Sequence, residues 1–179
     1  MNRYRVIRTL LAAVLLSVLA ACADSVAKSP AAPQSSAAAD PHTVSYDGVA
    51  GITFGETSAN LVSSGRLQPE SEGCTRQLVG TAELSPVFDA GRLVLLWVYP
   101  PYETPEGIHV GSTVADARRA YPVATALTPP AGSYVFPGLM VTSGDRAYLF
   151  LHDGQTVQKA VVGFTEFARR LYTDGYGTC

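Results

Sequence analysis

The chain has 179 residues, with 13 Lys and Arg against 15 Asp and Glu, and a formal net charge of −2 at pH 7. Its basic residues are scattered, so it lacks the cationic surface that neutralises a phosphate backbone. Nucleic acid is therefore excluded as a partner. The length allows one ordinary domain beyond any targeting segment.

The N-terminal segment has the composition of an export signal. Arg3, Arg5 and Arg8 supply positive charge, and Thr9–Ala21 follows as an uncharged apolar run. A membrane span needs roughly 20 apolar residues, so this run is too short to cross a bilayer. We predict a signal peptide over residues 1–21.

The apolar run ends in Leu19-Ala20-Ala21-Cys22, which resembles the lipobox of bacterial lipoproteins. In such proteins cleavage falls before the cysteine, whose sulfur receives diacylglycerol, and the anchor carries fatty acid such as palmitate. Two acyl chains, at about 0.8 kcal/mol per buried CH₂, hold a protein stably at a bilayer. The resemblance predicts a lipid anchor on Cys22 and a location at the outer face of the cell membrane. The alternative is an ordinary secreted protein in which Cys22 stays a free thiol.

A tether follows the cysteine. Residues 23–42 hold seven Ala, four Ser and three Pro, a composition that cannot build a core. We predict a lipidated cysteine with its tether over residues 22–42 and a single domain over residues 43–179. Loss of the three signal arginines leaves ten basic residues against 15 acidic ones, a net charge of about −5, so no polybasic face is expected to meet anionic lipid.

Two further cysteines, Cys74 and Cys179, lie in the predicted domain. In an oxidising compartment they are expected to form a disulfide. A bridge across a loop of about 100 residues stabilises by up to about 4.7 kcal/mol in the chain-entropy model. The alternative, a reactive thiol or metal ligand, lacks a Cys-x-x-Cys or Cys/His cluster.

An internal repeat lies within the domain. Residues 47–61 match residues 103–117 at an offset of 56, with the shared skeleton Gly-Ile-x-apolar-Gly-x-Thr-x-Ala-Asn/Asp. Thr57 and Thr113 are good N-cap residues, each before a predicted short helix. We expect the first helix to stop at Gly65 and the second at Tyr121.

Strand patterns follow each copy of the repeat. Leu93–Tyr99 is dense in β-formers, and Arg146–His152 meets Thr156–Val162 through Asp153-Gly154, a sequence that favours a type I′ hairpin turn. Thr165–Thr173 is predicted to be a final helix, closed by Gly175. The expected fold class is α+β, with two related units, about 43–100 and 101–179, each a short helix packed on antiparallel strands.

This order of motifs resembles a group of small exported actinobacterial lipoproteins of unassigned activity. More remotely, each unit is similar to the repeats of β-lactamase-inhibitor-like proteins and of the outer-membrane assembly lipoprotein BamE. The shared motifs are turn and cap residues, so the resemblance implies a fold and carries over neither inhibition nor assembly.

The sequence carries none of the common catalytic motifs. It contains no Gly-x-Ser-x-Gly, Ser-x-x-Lys, Gly-x-Gly-x-x-Gly or Walker motif. His109 and His152 stand too far apart for a zinc signature. His152-Asp153 is better explained as a turn-flanking pair than as an acid/base pair, and Glu103 and Glu106 as solvated loop charges. We expect no cofactor, no metal and no catalytic residue.

The most suggestive recognition surface is aromatic: Trp97, Tyr99 and Tyr102, where a strand runs into Pro100-Pro101. Trp97 and Tyr99 share one strand face, which is a binding patch if open and core if a helix covers it. We favour core for these two and an exposed ring for Tyr102.

The sequence thus favours a non-enzymatic binding or envelope-associated module whose protein partner is unknown. The first alternative is a small hydrolase or other enzyme with a site between the two units, which would need a cleft lined by converging polar groups. The second is a small-ligand carrier, which would need an apolar cavity.

Overall fold

A computed structural model describes residues 40–69, 76–133 and 136–175 of the chain. The elements in chain order are β1 (Gly48–Val49), β2 (Ile52–Thr53), α1 (Ser58–Ser63), β3 (Leu84–Asp89), β4 (Arg92–Val98), α2 (Val114–Ala120), β5 (Thr125–Leu127), β6 (Gly138–Ser143), β7 (Arg146–His152), β8 (Val157–Phe164) and α3 (Thr165–Asp174). The predicted α+β class is confirmed.

Six of the strands form one antiparallel sheet in the order β3-β4-β8-β7-β6-β5, and β1 pairs with β2 separately. The β3–β4 hairpin belongs to unit 1 and the β7–β8 hairpin to unit 2, and the two join edge to edge through β4 and β8. The two units therefore share one sheet. Strands β5 and β6 were not predicted.

The repeat is visible in the hydrogen bonds that dock each unit's loop on its hairpin. In unit 1 the Gly55 N–H donates to the Leu93 carbonyl over 2.8 Å, and in unit 2 the Gly111 N–H donates to the Val157 carbonyl over 2.8 Å. The docking partners are 64 residues apart, whereas the two glycines are 56 apart. Unit 2 therefore has a longer connector between its helix and its hairpin, and this connector contains β5 and β6.

The hairpins also share an irregularity. The register between β3 and β4 shifts at Val87/Phe88, and that between β7 and β8 shifts at Leu151/His152, again 64 residues later. At the β4–β8 seam, Trp97 pairs with Val161 at the same spacing. Since equivalent residues meet there, the two hairpins are related by an approximate two-fold axis through that pair.

Both faces of the sheet are covered. One face packs against α1, α2 and the repeat loops, with Leu61, Leu93 and Leu96 fully buried. The opposite face packs against α3, through residues such as Leu149 and Ala168. The core is thus split by the sheet into two apolar layers, as expected for an α+β domain.

The helix boundaries agree with the sequence prediction. The hydroxyl of Thr57 accepts from the Asn60 N–H over 3.2 Å, and that of Thr113 from the Asp116 N–H over 3.0 Å. Helix α2 is capped at Tyr121, and Gly175 closes α3 in the left-handed conformation. Each of these ends satisfies backbone groups that a helix leaves unpaired.

The type I′ turn that was predicted between β7 and β8 is found instead between β3 and β4. Ala90 and Gly91 both have positive φ, 46° and 75°, as that turn requires. Between β7 and β8, Gly154 has a positive φ of 102°, and the Asp153 carboxylate accepts from the Gln155 and Thr156 N–H groups. This side-chain cap stabilises a longer loop, so the hairpin was predicted correctly but its turn type was wrong.

Candidate functional site

The structure reverses the predicted exposure of Tyr99 and Tyr102. Tyr99 is 41% exposed and Tyr102 only 9%, while Trp97 is partly buried. Tyr102 is covered because the first described residues run beside it. The Glu103 N–H donates to the His42 carbonyl over 3.0 Å, and the rings of His42 and Tyr102 meet edge to face at 5.3 Å. The prediction of an exposed Tyr102 and a core Tyr99 was wrong, since strand periodicity does not show this covering segment.

Trp97 borders a pocket of about 190 Å³ beside α3. Its lining is apolar except for one lysine: Trp97, Phe136, Leu149, Leu151, Lys159, Leu171 and Tyr172. Ligand sites in proteins are mainly apolar, with few polar groups that fix orientation. We call this feature the Trp97 pocket.

Strand register brings the floor of the Trp97 pocket together. Trp97 pairs with Val161, which also pairs with Leu149 across the next strand. Lys159 lies two residues from Val161, so it shares that face, and it pairs directly with Leu151. Three adjacent strands thus supply one continuous surface.

Helix α3 forms the wall of the pocket, and Tyr172 fixes its C-terminal half. The Tyr172 hydroxyl donates to the Leu127 carbonyl over 2.9 Å, and burial raises the pKa of this hydroxyl. Its ring lies over Gly138, where a Cβ would stand 3.1 Å from the ring. The absent side chain therefore lets the helix pack closely on β6.

Among the described residues, Lys159 is the only charged one that lines the Trp97 pocket. Its ammonium lies 5.8 Å from the centre of the Trp97 ring, within cation–π range. Sequence reasoning missed it, as it missed Leu171 and Phe136. The only available signal was a lone lysine between apolar strand residues, and its position beside Trp97 depends on the register between strands.

A second, polar depression of about 690 Å³ lies along α2 and the loop before it. The Tyr121 hydroxyl donates to Glu106, and burial, followed by that carboxylate, raises the pKa of Tyr121. Asp116 accepts from the Thr113 hydroxyl and from Arg119, which lowers its pKa. These groups hold one another in place, so they support the helix and the loop.

His152 and Asp153 do not form an acid/base pair. The His152 ring is buried and its Nδ1 accepts from the Gly154 N–H over 3.1 Å, while the Asp153 carboxylate caps the adjoining turn. Burial, with Arg118 nearby, lowers the pKa of His152. Backbone hydrogen bonds lower the pKa of Asp153, which is fully occupied in stabilising the hairpin.

The predicted lipid and disulfide residues, Cys22, Cys74 and Cys179, lie outside the described residues. Within the described ranges, no group of three or more His, Cys, Asp or Glu is placed to hold a metal ion. Nor does any helix in that part of the chain have the length and apolar character needed to cross a membrane.

No protein-family model and no curated protein matches this sequence. Among solved structures, the chain is similar to an extracellular protein containing an SCP domain from Bacillus anthracis, with TM-score 0.42, 15% identity, and coverage of 69% of this chain and 47% of the other. It is also similar to a cysteine-rich secretory protein from Staphylococcus aureus, with TM-score 0.39, 11% identity, and coverage of 67% and 48%. The chain thus spans about half the length of each.

These findings correct the resemblance expected from the sequence. These two structures are an SCP-domain protein and a cysteine-rich secretory protein, and they are neither β-lactamase-inhibitor-like nor BamE-like; no actinobacterial lipoprotein family is matched either. The resemblance rested on turn glycines and helix-cap residues. Many α+β folds need the same residues at the same local geometry, so they do not identify a family.

Proposed function

We propose that this protein is an exported, lipid-anchored binding module that works without catalysis at the outer face of the cell membrane. The observation that carries the proposal is Cys22, which directly follows Leu19-Ala20-Ala21 at the end of an uncharged apolar segment. Lipid on the Cys22 sulfur makes the membrane the first partner of this protein. The domain need not touch the bilayer itself.

The start of the described domain supports a tethered arrangement. The Val44 N–H donates to the Glu103 carbonyl over 2.8 Å, and the Tyr148 hydroxyl donates to the Val44 carbonyl. Val44 is only 2% exposed. Directly before this well-packed segment lies the Ala-, Ser- and Pro-rich stretch of residues 23–42. A flexible chain of that length has an end-to-end distance on the order of 25 Å, enough to separate the domain from the headgroups.

Membrane retention of a Cys22→Ser variant tests the anchor. The unchanged protein is expected in the membrane fraction with a mature N-terminus at Cys22 and the mass of added diacylglycerol. The variant is expected in the medium or uncleaved, while Ser25→Ala, which leaves the cysteine intact, stays bound. Equal retention of a cleaved Cys22→Ser protein, or a mature N-terminus of the unchanged protein at a residue other than Cys22, contradicts the proposal.

We also propose that Cys74 and Cys179 form a disulfide that ties unit 1 to the end of unit 2. Oxidising surroundings favour pairing of the two thiols that lipid does not occupy. Peptide mass analysis without reductant is expected to recover the linked pair. Two freely alkylated thiols would contradict it.

The Trp97 pocket favours a second candidate within the same class, a module that binds a small ligand. Its lining is apolar apart from Lys159, and its floor includes the buried strand residues Leu149 and Leu151, whereas an enzyme needs reacting groups that converge on a substrate. Turnover of ester, peptide or glycoside substrates that one side-chain change abolishes would overturn the non-catalytic assignment.

A further inference from the structure

We propose that the Trp97 pocket binds one small amphipathic carboxylate, with its ring or short chain on Trp97 and its carboxylate on Lys159. The proposal rests on the proposed function as a binding module and is independent of the lipid anchor. Three observations carry it: the pocket, the charge of Lys159 and the strand register that places the two together.

The size of the pocket limits the apolar part of the ligand. A dry apolar cavity of about 150 Å³ holds one benzene molecule, and the Trp97 pocket has about 190 Å³. One ring or a chain of similar volume therefore fits, with its polar end at the opening. A long acyl chain does not fit.

The pocket is shaped before any ligand arrives. Leu149 and Leu151 of its floor are 0% and 7% exposed, and Tyr172 holds the wall through its hydrogen bond to Leu127. A site that needs no rearrangement loses little conformational entropy on binding.

The charge at the rim selects the polar part of the ligand. The Lys159 side chain is exposed, and no acidic residue in the described part of the chain forms an ion pair with it. An ammonium donates three hydrogen bonds and accepts none, so a carboxylate complements it. Arg119, which lines the polar depression, differs from Lys159 because it already forms an ion pair with Asp116 over 2.7 Å.

The chain contains one tryptophan, so its fluorescence reports directly on this pocket. The experiment titrates the full-length protein in lipid nanodiscs with 3-phenylpropionate and, separately, with the neutral 3-phenylpropanol. Both are expected to change the fluorescence saturably, the acid at lower concentration. Empty nanodiscs correct for partitioning into lipid.

Two charge variants separate the proposed contact from general electrostatics. Lys159→Gln is expected to weaken binding of the acid about fivefold, the upper effect of a solvent-exposed ion pair, and to leave the alcohol unchanged. Arg169→Gln removes an exposed cation from α3, the helix that forms the pocket wall, at a position outside the pocket lining, and is expected to change neither. If the two variants behave alike, or if the acid does not saturate the signal, the proposal is overturned.

A third variant tests the apolar part without touching the charge. Leu171→Phe adds volume to the wall and is expected to weaken acid and alcohol by a similar factor, at least fivefold. Unchanged affinity for both overturns the placement of the ring. If binding is lost in these tests but the unchanged protein stays in the membrane fraction, only the ligand assignment is wrong. If the unchanged protein is released into the medium, only the lipid anchor is wrong.

Discussion

Units 1 and 2 are built on one local plan but carry different side chains where they meet. Both place glycines at equivalent positions with positive φ, 79° at Gly51 and 78° at Gly107. Both cap a short helix with threonine, and both dock on a hairpin with the same register shift. Backbone geometry is thus what the two units share.

The differences lie on the α3 face of the sheet. At the spacing of 64 residues, Lys159 in unit 2 corresponds to the buried Leu95 in unit 1, and Gly163 corresponds to the exposed Tyr99. Unit 2 continues into α3, and its connector adds β5 and β6. The wall of the Trp97 pocket depends on α3, so the repeat provides the scaffold and its asymmetry provides the candidate site.

The largest expected effect is at Gly163, where unit 2 cannot tolerate the side chain that unit 1 carries. A Cβ there would lie 2.2 Å from the Val94 carbonyl oxygen, and φ is 146°. Overpacking and backbone strain each cost up to about 3 kcal/mol, so Gly163→Ala is expected to lower the free energy of unfolding by about 4 kcal/mol. Urea denaturation measures it.

Two controls accompany this prediction. Gly144→Ala, at a φ of 58° with open space around it, is expected to cost about 1 kcal/mol. Tyr99→Gly, at the equivalent position of unit 1, is expected to cost no more than that because its ring is exposed. A small loss for Gly163→Ala would show that β4 and β8 do not approach so closely.

Ile52 and Ile108 are equivalent and almost equally buried, at 7% and 5% exposed. Each Ile→Ala change leaves a cavity in the same apolar layer, with an expected loss of about 3 kcal/mol. The two losses, measured by the same denaturation, should agree within about 1 kcal/mol. A larger gap would mean that the units pack their common residue differently.

The caps of α1 and α2 provide a finer test of the comparison. Thr57→Ala and Thr113→Ala each remove a side-chain acceptor from a helix N-terminus, with an expected cost of about 1 kcal/mol. The double variant should lose the sum, because the two caps share no partner. Serine at either position is the control, since it keeps the hydroxyl.

Sequence reasoning worked best where local chemistry decides the structure. The caps at Thr57 and Thr113, the helix closed by Gly175 and the hairpin after His152 depend on residues a few positions apart. Such features depend on hydrogen bonds that form within one turn of chain. The α+β class follows from them.

The candidate site was beyond that reasoning because its parts are distant in sequence. Trp97 and Lys159 meet only through the β4–β8 register, and Tyr102 is buried by the first described residues, at His42. A strand pattern tells which residues share a face but not what covers that face. The sequence prediction therefore took Tyr99 as buried and Tyr102 as exposed, the opposite of the structure.

The smallest expected effect concerns acid stability and a single difference between the units: the buried His152 occupies the position that Phe88 holds in unit 1. Burial lowers the pKa of His152 in the folded protein, so the unfolded chain binds the proton more readily. Its contribution to stability is full above about pH 6.5, the unfolded value, and declines as the pH falls towards the folded pKa.

Replacing His152 with Phe copies unit 1 and removes the titrating group. The free energy of unfolding, measured by urea denaturation from pH 8 to pH 5, is expected to fall less steeply below pH 6.5 in His152→Phe than in the unchanged protein. Parallel profiles for His152→Phe and the unchanged protein would show that protonation does not oppose burial here. The shared hairpin would then tolerate a charged imidazolium where its counterpart holds a phenyl ring.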